Sequence, residues 1–284
     1  MSKKMYESLR KIRGRKPLIH HITNIVVSNL TANFTLAMGA LPIMANAREE
    51  VKEIVDKADV LLLNIGTLTK EQLEAMLVAG QHARKKGKKI VFDPVGAGAS
   101  ELRTEASFEI MEKVKPNIVR GNYAEICKIA GEDAKIRGVE SDEGDFSKAC
   151  EIAKKVANRY GCVTAISGKV DLISDGKKMA RTFGGNEMLK AITGSGCMAT
   201  TAIACFASVE SDLEAAIHGL ELMRICSETA ASSGPATFQN SFLDAVFNLS
   251  REASEKEREE KEEKKERREE KEEELEEEGR VEFL

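Results

Sequence analysis

The sequence predicts an α/β fold, a three-layer αβα sandwich with a mostly parallel central sheet and a hairpin at one edge. Three observations predict it. From Pro17 onward, short apolar runs alternate with stretches of helical periodicity. One run, Asp59-Val60-Leu61-Leu62-Leu63-Asn64-Ile65, is apolar without alternation, the pattern of a strand buried on both faces. The turn Asp175-Gly176 joins Asp171-Leu172-Ile173-Ser174 to the segment from Lys177 to Phe183, which marks an antiparallel hairpin.

Taken in order, residues 3 to 13 predict a short basic helix ended by Gly14, and Pro17-Leu18-Ile19-His20-His21-Ile22 predicts a strand with Thr23-Asn24 at its exit. Apolar spacing from Ile25 to Met38 predicts a helix capped by Gly39. Leu41-Pro42-Ile43-Met44 reads as a second strand and Ala47 to Lys57 as a second helix. Beyond the fully apolar run, Thr69 can cap a helix from Lys70 to Lys86, with Gln72 in the capping-box position. Lys89-Ile90-Val91-Phe92 is the next strand, broken by Asp93-Pro94 and a glycine-rich loop. A helix to Val114, a strand at Asn117-Ile118-Val119 and a helix from Tyr123 continue the alternation. A looser acidic segment then leads to a helix from Phe146 to Tyr160 and a strand at Cys162-Val163-Thr164-Ala165-Ile166. After the hairpin and the stretch that opens at Ala191, the chain reads as helical to Leu249.

The 284 residues can bury a full core, and residues 1–250 are assigned to a single domain. Residues 251–284 form a Glu/Lys/Arg-rich extension with favourable pairs such as Glu257 to Lys261, expected to be a solvated helix or disordered. That extension carries 17 acidic and 10 basic residues, leaving 30 acidic and 33 basic for the domain. The formal net charge of −4 therefore hides a mildly basic body, which suits a small anionic ligand. No basic cluster or stacking aromatic motif supports nucleic acid binding. No run approaches the roughly 18 apolar residues of a membrane span. The basic start of the chain has no apolar stretch behind it, so a cytoplasmic enzyme with no membrane partner is expected. The six cysteines form no Cys-x-x-Cys pair, and five of them read as reduced packing residues.

Cys197 is the sixth, and it follows Thr193-Gly194-Ser195-Gly196. Two glycines let the backbone turn sharply, and the small, apolar run from Met198 to Ala207 reads as a buried helix. The free amides and positive dipole end of that helix make an anion hole over Gly194, Ser195 and Gly196. Ligands of open α/β sheets sit beyond the carboxyl ends of the strands. The polar and glycine residues cluster at those exits, counted with Met44 as six positions: Thr23-Asn24, Met44, Asn64 with Gly66-Thr67, Asp93, Arg120-Gly121-Asn122 and Ser167-Gly168.

His21-Ile22-Thr23-Asn24, Gly66-Thr67-Leu68, Asp93-Pro94-Val95-Gly96-Ala97-Gly98, Arg120-Gly121-Asn122-Tyr123-Ala124-Glu125, Thr193-Gly194-Ser195-Gly196-Cys197 and Phe242-Leu243-Asp244-Ala245 stand in this order. Together they resemble the hydroxyethylthiazole kinase family of thiamine biosynthesis, over nearly all of residues 15 to 250. The resemblance implies a ribokinase-like fold. It also implies Mg²⁺-dependent transfer of the ATP γ-phosphoryl group to the hydroxyl of 4-methyl-5-(2-hydroxyethyl)thiazole. A homotrimer with active sites at subunit interfaces is implied as well.

Carried over by position, the resemblance assigns Arg120, Ser167, Asn122 and Asp93 to the nucleotide, and a guanidinium suits polyphosphate oxygens. It assigns Met44, Gly194, Asn24, Val26 and Gly66 to the thiazole alcohol, and Asp93 and Glu125 to the metal, which needs few carboxylates because it keeps its waters. Gly194, Ser195, Gly196 and Cys197 form the catalytic turn. The wider ribokinase-like group usually has an Asp base where Cys197 stands, although Cys is usual in the thiazole kinases, so the thiol acts as a base or only orients the hydroxyl. Ser195 stands where the family often has Ala.

Rival readings are a kinase for another small alcohol such as the aminopyrimidine precursor of thiamine or a sugar, a nucleotide-hydrate dehydratase, and a non-catalytic ligand-binding protein. A further rival makes Cys197 the nucleophile of an acyl-transfer enzyme, which requires a histidine base. His82 and His218 both fall in predicted helices, and His20 and His21 read as structural.

Overall fold

A computed structural model describes residues 2–132 and 143–255. Its centre is an eight-stranded sheet: β1 (Leu18–Ile22), β2 (Leu41–Ile43), β3 (Val60–Asn64), β4 (Lys89–Asp93), β5 (Ile118–Asn122), β6 (Val163–Ser167), β7 (Asp171–Ser174) and β8 (Met179–Thr182). The strands lie in the order β2-β1-β3-β4-β5-β6-β7-β8. Those from β2 to β6 are parallel, and β7 and β8 close one edge as the antiparallel hairpin.

Because successive side chains of a strand point to opposite faces, each central strand feeds two cores. In β3, Val60 and Leu62 enter one cluster while Leu61 and Leu63 enter the other. The first core is covered by α1 (Lys3–Arg15), α2 (Ser28–Ala37), α8 (Ser195–Ala207), α9 (Asp212–Thr229) and a helix over 235–255, here α10. The second is covered by α3 (Val51–Lys57), α4 (Lys70–Lys85), α5 (Glu101–Lys113), α6 (Tyr123–Ile129) and α7 (Glu143–Tyr160). Phe242 anchors α10 against Phe34 of α2, ring centroids 6.1 Å apart, and stacks on Phe238 one turn earlier in its own helix at the same distance. Among the described residues, no helix is long and apolar enough to cross a membrane.

Several element ends differ from the sequence reading, each for a local reason. Gly14 does not stop α1; Lys16 does, in the left-handed region at φ 49°, its N–H donating to Ile12 O at 2.8 Å. Helix α2 starts at Ser28 and not at Ile25, because the Asn24 side chain accepts the Val27 N–H at 3.2 Å and holds a turn there. Helix α3 starts at Val51 and not at Ala47; a turn precedes it in which Glu50 N–H donates to Ala47 O at 3.1 Å. Thr69 caps α4 through the Gln72 N–H, but the box is half made, since Gln72 Nε2 donates instead to Thr23 O at 2.8 Å. A short 3₁₀ turn at Glu187–Ala191 has no counterpart in the sequence reading. Helix α10 runs on through residue 255, with Ala253 buried. Part of the looser acidic segment, residues 133–142, and the extension from 256 onward lie outside the described residues.

The apolar helix after the glycine turn is buried throughout, every residue from Met198 to Ala207 being enclosed. Its closest neighbour is α9, where Gly219 lets the two backbones approach. A Cβ on that residue would lie 2.6 Å from Ile203 Cγ1 and 2.7 Å from Ile203 N. Since the obstacle includes backbone, Gly219→Ala should destabilise the protein by about 2 kcal/mol and lower the thermal midpoint by several degrees. Differential scanning calorimetry checks this, and an unchanged midpoint would refute the close packing.

Candidate active site

The strand order reverses between β1 and β3, and in an open α/β sheet the ligand crevice lies outside the carboxyl ends at such a point. Asn24 leaves β1 and Asn64 ends β3, and Asn24 Nδ2 donates to Asn64 Oδ1 at 2.8 Å across the gap. The same oxygen accepts the Gly66 N–H at 2.9 Å. Asn64 Nδ2 donates to Asp93 Oδ2 at 3.1 Å, one strand further along. Thr200, in α8, donates to that oxygen at 2.7 Å. A fully buried carboxylate thus ties the start of α8 to the strand ends.

Gly194 opens α8 in the left-handed region at φ 87°, and a Cβ there would lie 2.7 Å from Val27 Cγ1. Arg120, from β5, crosses in front of the helix. Its Nη1 is 3.7 Å from Asp93 Oδ2, its Nη2 donates to Ser167 Oγ, and a Cβ on Gly196 would lie 2.6 Å from Nη1. A guanidinium packed on the positive end of a helix dipole concentrates positive charge there, which an anion would neutralise. Beside it, Asn122 and Glu125 close α6 with a full capping box: Asn122 Oδ1 accepts Glu125 N–H at 2.9 Å and Glu125 Oε2 accepts Asn122 N–H at 2.8 Å. Glu125 Oε1 accepts Gly96 N–H at 2.8 Å, fastening the glycine loop after β4.

Burial dominates the ionisation of the centre. It pushes the Asp93 carboxyl up to about 6, against the lowering influence of Arg120 and with the Glu125 charge adding to the rise. It also pushes the Cys197 thiol up to about 11, helped by the Asp93 charge and opposed by the Asn64 N–H and Arg120. The helix terminus therefore does not generate a thiolate in the free protein. Cys197 Sγ receives Asn64 Nδ2 at 3.2 Å and Asn24 Nδ2 at 3.6 Å. All four histidines of the sequence are bonded elsewhere: His20 to Ala45 O, His21 to Thr35, His82 to Asp56 and His218 to Glu210. The acyl-transfer reading loses both its thiolate and its base.

A cleft of about 240 Å³ is lined by Arg120 together with Ser167, Ser195 and Gly196 and by the apolar Leu189, Leu220 and Met223. Its wall is pinned by Arg224, which pairs with buried Asp171 through Nη2 at 2.7 Å and Nε at 2.9 Å and donates to Gly168 O at 2.7 Å.

Of the residues singled out in the sequence, Asn24, Gly66, Asp93, Arg120, Ser167, Gly194, Ser195, Gly196 and Cys197 come together around this crevice. Asn122 and Glu125 adjoin it, a Cβ on Gly121 lying 3.1 Å from Glu125 Oε2. Met44 and Val26 stay outside the hydrogen-bonded group: Met44 is half-buried on the loop after β2, and Val26 is 64% exposed. Two central residues had no assigned role: Asn64, singled out only as one of the polar residues at the strand exits, and Thr200, not singled out at all. For Asn64 the signal was an amide closing an otherwise apolar buried strand, where a polar group must find partners.

This arrangement of strands, glycine turn and buried helix is the ribokinase-like fold. A solved ribokinase-like superfamily protein from Enterococcus faecalis shares it with a TM-score of 0.62 at 12% identity, over 88% of this chain and 95% of that one. Within that class, residues 9–252 match the model of the hydroxyethylthiazole kinase family, and the chain belongs to that family. A hydroxyethylthiazole kinase from Thermoanaerobacter pseudethanolicus is 49% identical over 259 residues, covering 89% of this chain and 97% of the relative. The solved hydroxyethylthiazole kinase protein from Pyrococcus horikoshii superposes with a TM-score of 0.80 at 36% identity, over 88% of this chain and 96% of that one.

Because Asp93 keeps its proton to higher pH in the fold than in the unfolded chain, it withdraws stability as pH rises from its unfolded value of 3.8 through about 6. Asp93→Asn mimics the protonated form. Without divalent cations, the midpoint of Asp93→Asn relative to the parent should rise between about pH 4 and about pH 7. Thermal melts across that range check it, and a pH-independent gap would contradict the burial argument.

Proposed function

We propose that this protein transfers the γ-phosphoryl group of ATP to the hydroxyl of 4-methyl-5-(2-hydroxyethyl)thiazole, with Mg²⁺ bound near Asp93 and Glu125. The observation that carries the reading is the family membership, together with the Arg120 guanidinium lying on the first turn of α8. The donor set fits magnesium. Asp93 Oδ1 is buried without a hydrogen-bond partner, and both Glu125 oxygens already accept backbone N–H groups, leaving further lone pairs for bound water. Among the described residues no group of three His, Cys, Asp or Glu side chains could hold a metal, so water and phosphate oxygens would have to complete its shell. When bound, the ion neutralises charge on the phosphate oxygens.

Phosphoryl transfer proceeds through a loose transition state, so positioning and charge stabilisation carry most of the acceleration. In our reading Arg120, Ser167 and Asn122 hold the polyphosphate, and the amides of Gly194, Ser195 and Gly196 receive the oxygens of the migrating group. Cys197, a neutral thiol, orients the alcohol oxygen from the first turn of the helix. Asn24 and Gly66 border that oxygen, and Met44 and Val26 border the thiazole ring. Ile25 and Val26, 80% and 64% exposed, adjoin Asn24, and large apolar side chains beside a site support coverage by a neighbouring subunit of a homotrimer. A cytoplasmic setting goes with this role.

Incubation with ATP, Mg²⁺ and the thiazole alcohol should yield the phosphate ester by mass. Preference for the aminopyrimidine alcohol or a sugar in the same panel would move the assignment to another kinase of this fold. Cys197→Ala should lower turnover by about 10²-fold, while Cys197→Asp should retain or exceed the parent rate. A folded but inactive Asp variant would count against an orienting or proton-accepting role. Sedimentation should give a trimer, and Ile25→Asp should shift it toward smaller species; a monomeric parent would remove the shared-site arrangement.

A further inference from the structure

The orientation of both amides beside Cys197 is fixed by backbone donors. Asn64 Oδ1 accepts the Gly66 N–H and Asn24 Oδ1 accepts the Val27 N–H, so in each side chain the NH₂ group faces the sulfur. Asn64 Nδ2 uses one hydrogen on Asp93 Oδ2 and the other on Cys197 Sγ; Asn24 Nδ2 uses one on Asn64 Oδ1 and the other on Sγ. Every donor of the pair is spent, and neither amide oxygen faces the thiol. Among the described residues these are the hydrogen bonds recorded for Sγ, and in both the sulfur accepts.

We propose that Asn64 is a positioning residue for the reaction: with Asn24 it holds the Cys197 sulfur as an acceptor and turns the thiol hydrogen outward, into the crevice. The identity of the group that this hydrogen meets, the alcohol oxygen, rests on the kinase reading above. The orientation itself does not. Asn64 acts through Cys197 and reaches no substrate atom. Its second bond, to Asp93, keeps the amide from rotating, so one side chain registers the thiol against the carboxylate. A neutral S–H needs an acceptor, and because the surrounding amides present only donors, its hydrogen points away from them.

Two measurements test this. The first needs no catalysis: alkylation of Cys197 by iodoacetamide, followed on its own peptide by mass. Asn64→Leu keeps the size of the side chain but removes the N–H donor to sulfur without adding a charge. It should slow alkylation at a fixed, mildly alkaline pH by about threefold or more, because N–H donation favours the thiolate. An unchanged or faster rate in the folded variant overturns the proposal. The second is a double-mutant cycle on turnover, using Asn64→Ser as the variant less disturbing to folding, alone and with Cys197→Ala. Residues acting as a unit are non-additive, so the combined loss should fall short of the product of the single losses by about fivefold or more. A combined loss equal to that product would make Asn64 merely structural and overturn the proposal. Should the parent protein leave the thiazole alcohol unphosphorylated, the kinase reading falls, and the alkylation result alone decides the role of Asn64.

Discussion

At the end of β4 a carboxylate sits wholly inside the protein, and groups from three elements converge on one of its oxygens: Asn64 from β3, Thr200 from α8 and, less closely, Arg120 from β5. Burying such a charge is costly unless hydrogen bonds and a counter-charge offset it, so the geometry of Asp93 constrains all three donors together. That convergence sets the height of α8 over the sheet, and with it the position of the glycine turn. The other features depend on this placement. Arg120 can lie on Gly196 only because the helix starts there, and Cys197 meets the two asparagines for the same reason.

The chemistry that follows is one of placement. A thiol held near 11 is a poor base, yet a loose phosphoryl transition state asks for little more than alignment and a positive surround. In the proposed reaction Arg120 and the helix amides would supply the second, and the crevice at the β1/β3 switch the first. The cleft beside Arg120 is set by different means. One wall is Arg224 paired with buried Asp171, and both fasten Gly168, so the turn that follows Ser167 at the end of β6 is held.

Much of this was legible in the amino acids. The undivided apolar run of β3, the Asp-Gly hairpin and the small-residue helix gave the layer order, and the family motifs picked out the residues that crowd the strand exits. What was hidden depends on contacts distant in sequence. Asn64 looked like the end of a strand, and its four partners come from segments up to 133 residues away. Thr200 was lost inside a run of small residues, since nothing in that run says which face meets Asp93. Gln72 shows the converse: the local capping pattern at Thr69 was half overruled because the Gln72 amide found the Thr23 carbonyl at the exit of β1. The helix starts at Ser28 and Val51 were misjudged because apolar periodicity says nothing of the turns that precede a helix.

The margin of the sheet at β2 carries one more implication. This outer strand is three residues long, and Leu41 donates its N–H inward to Pro17 O, so the imino nitrogen of Pro42 faces away from β1. Without a hydrogen there, it offers no rung to an incoming chain. Self-association across that border by strand pairing is thereby discouraged, and any contact made there would have to come from side chains instead of a shared backbone ladder.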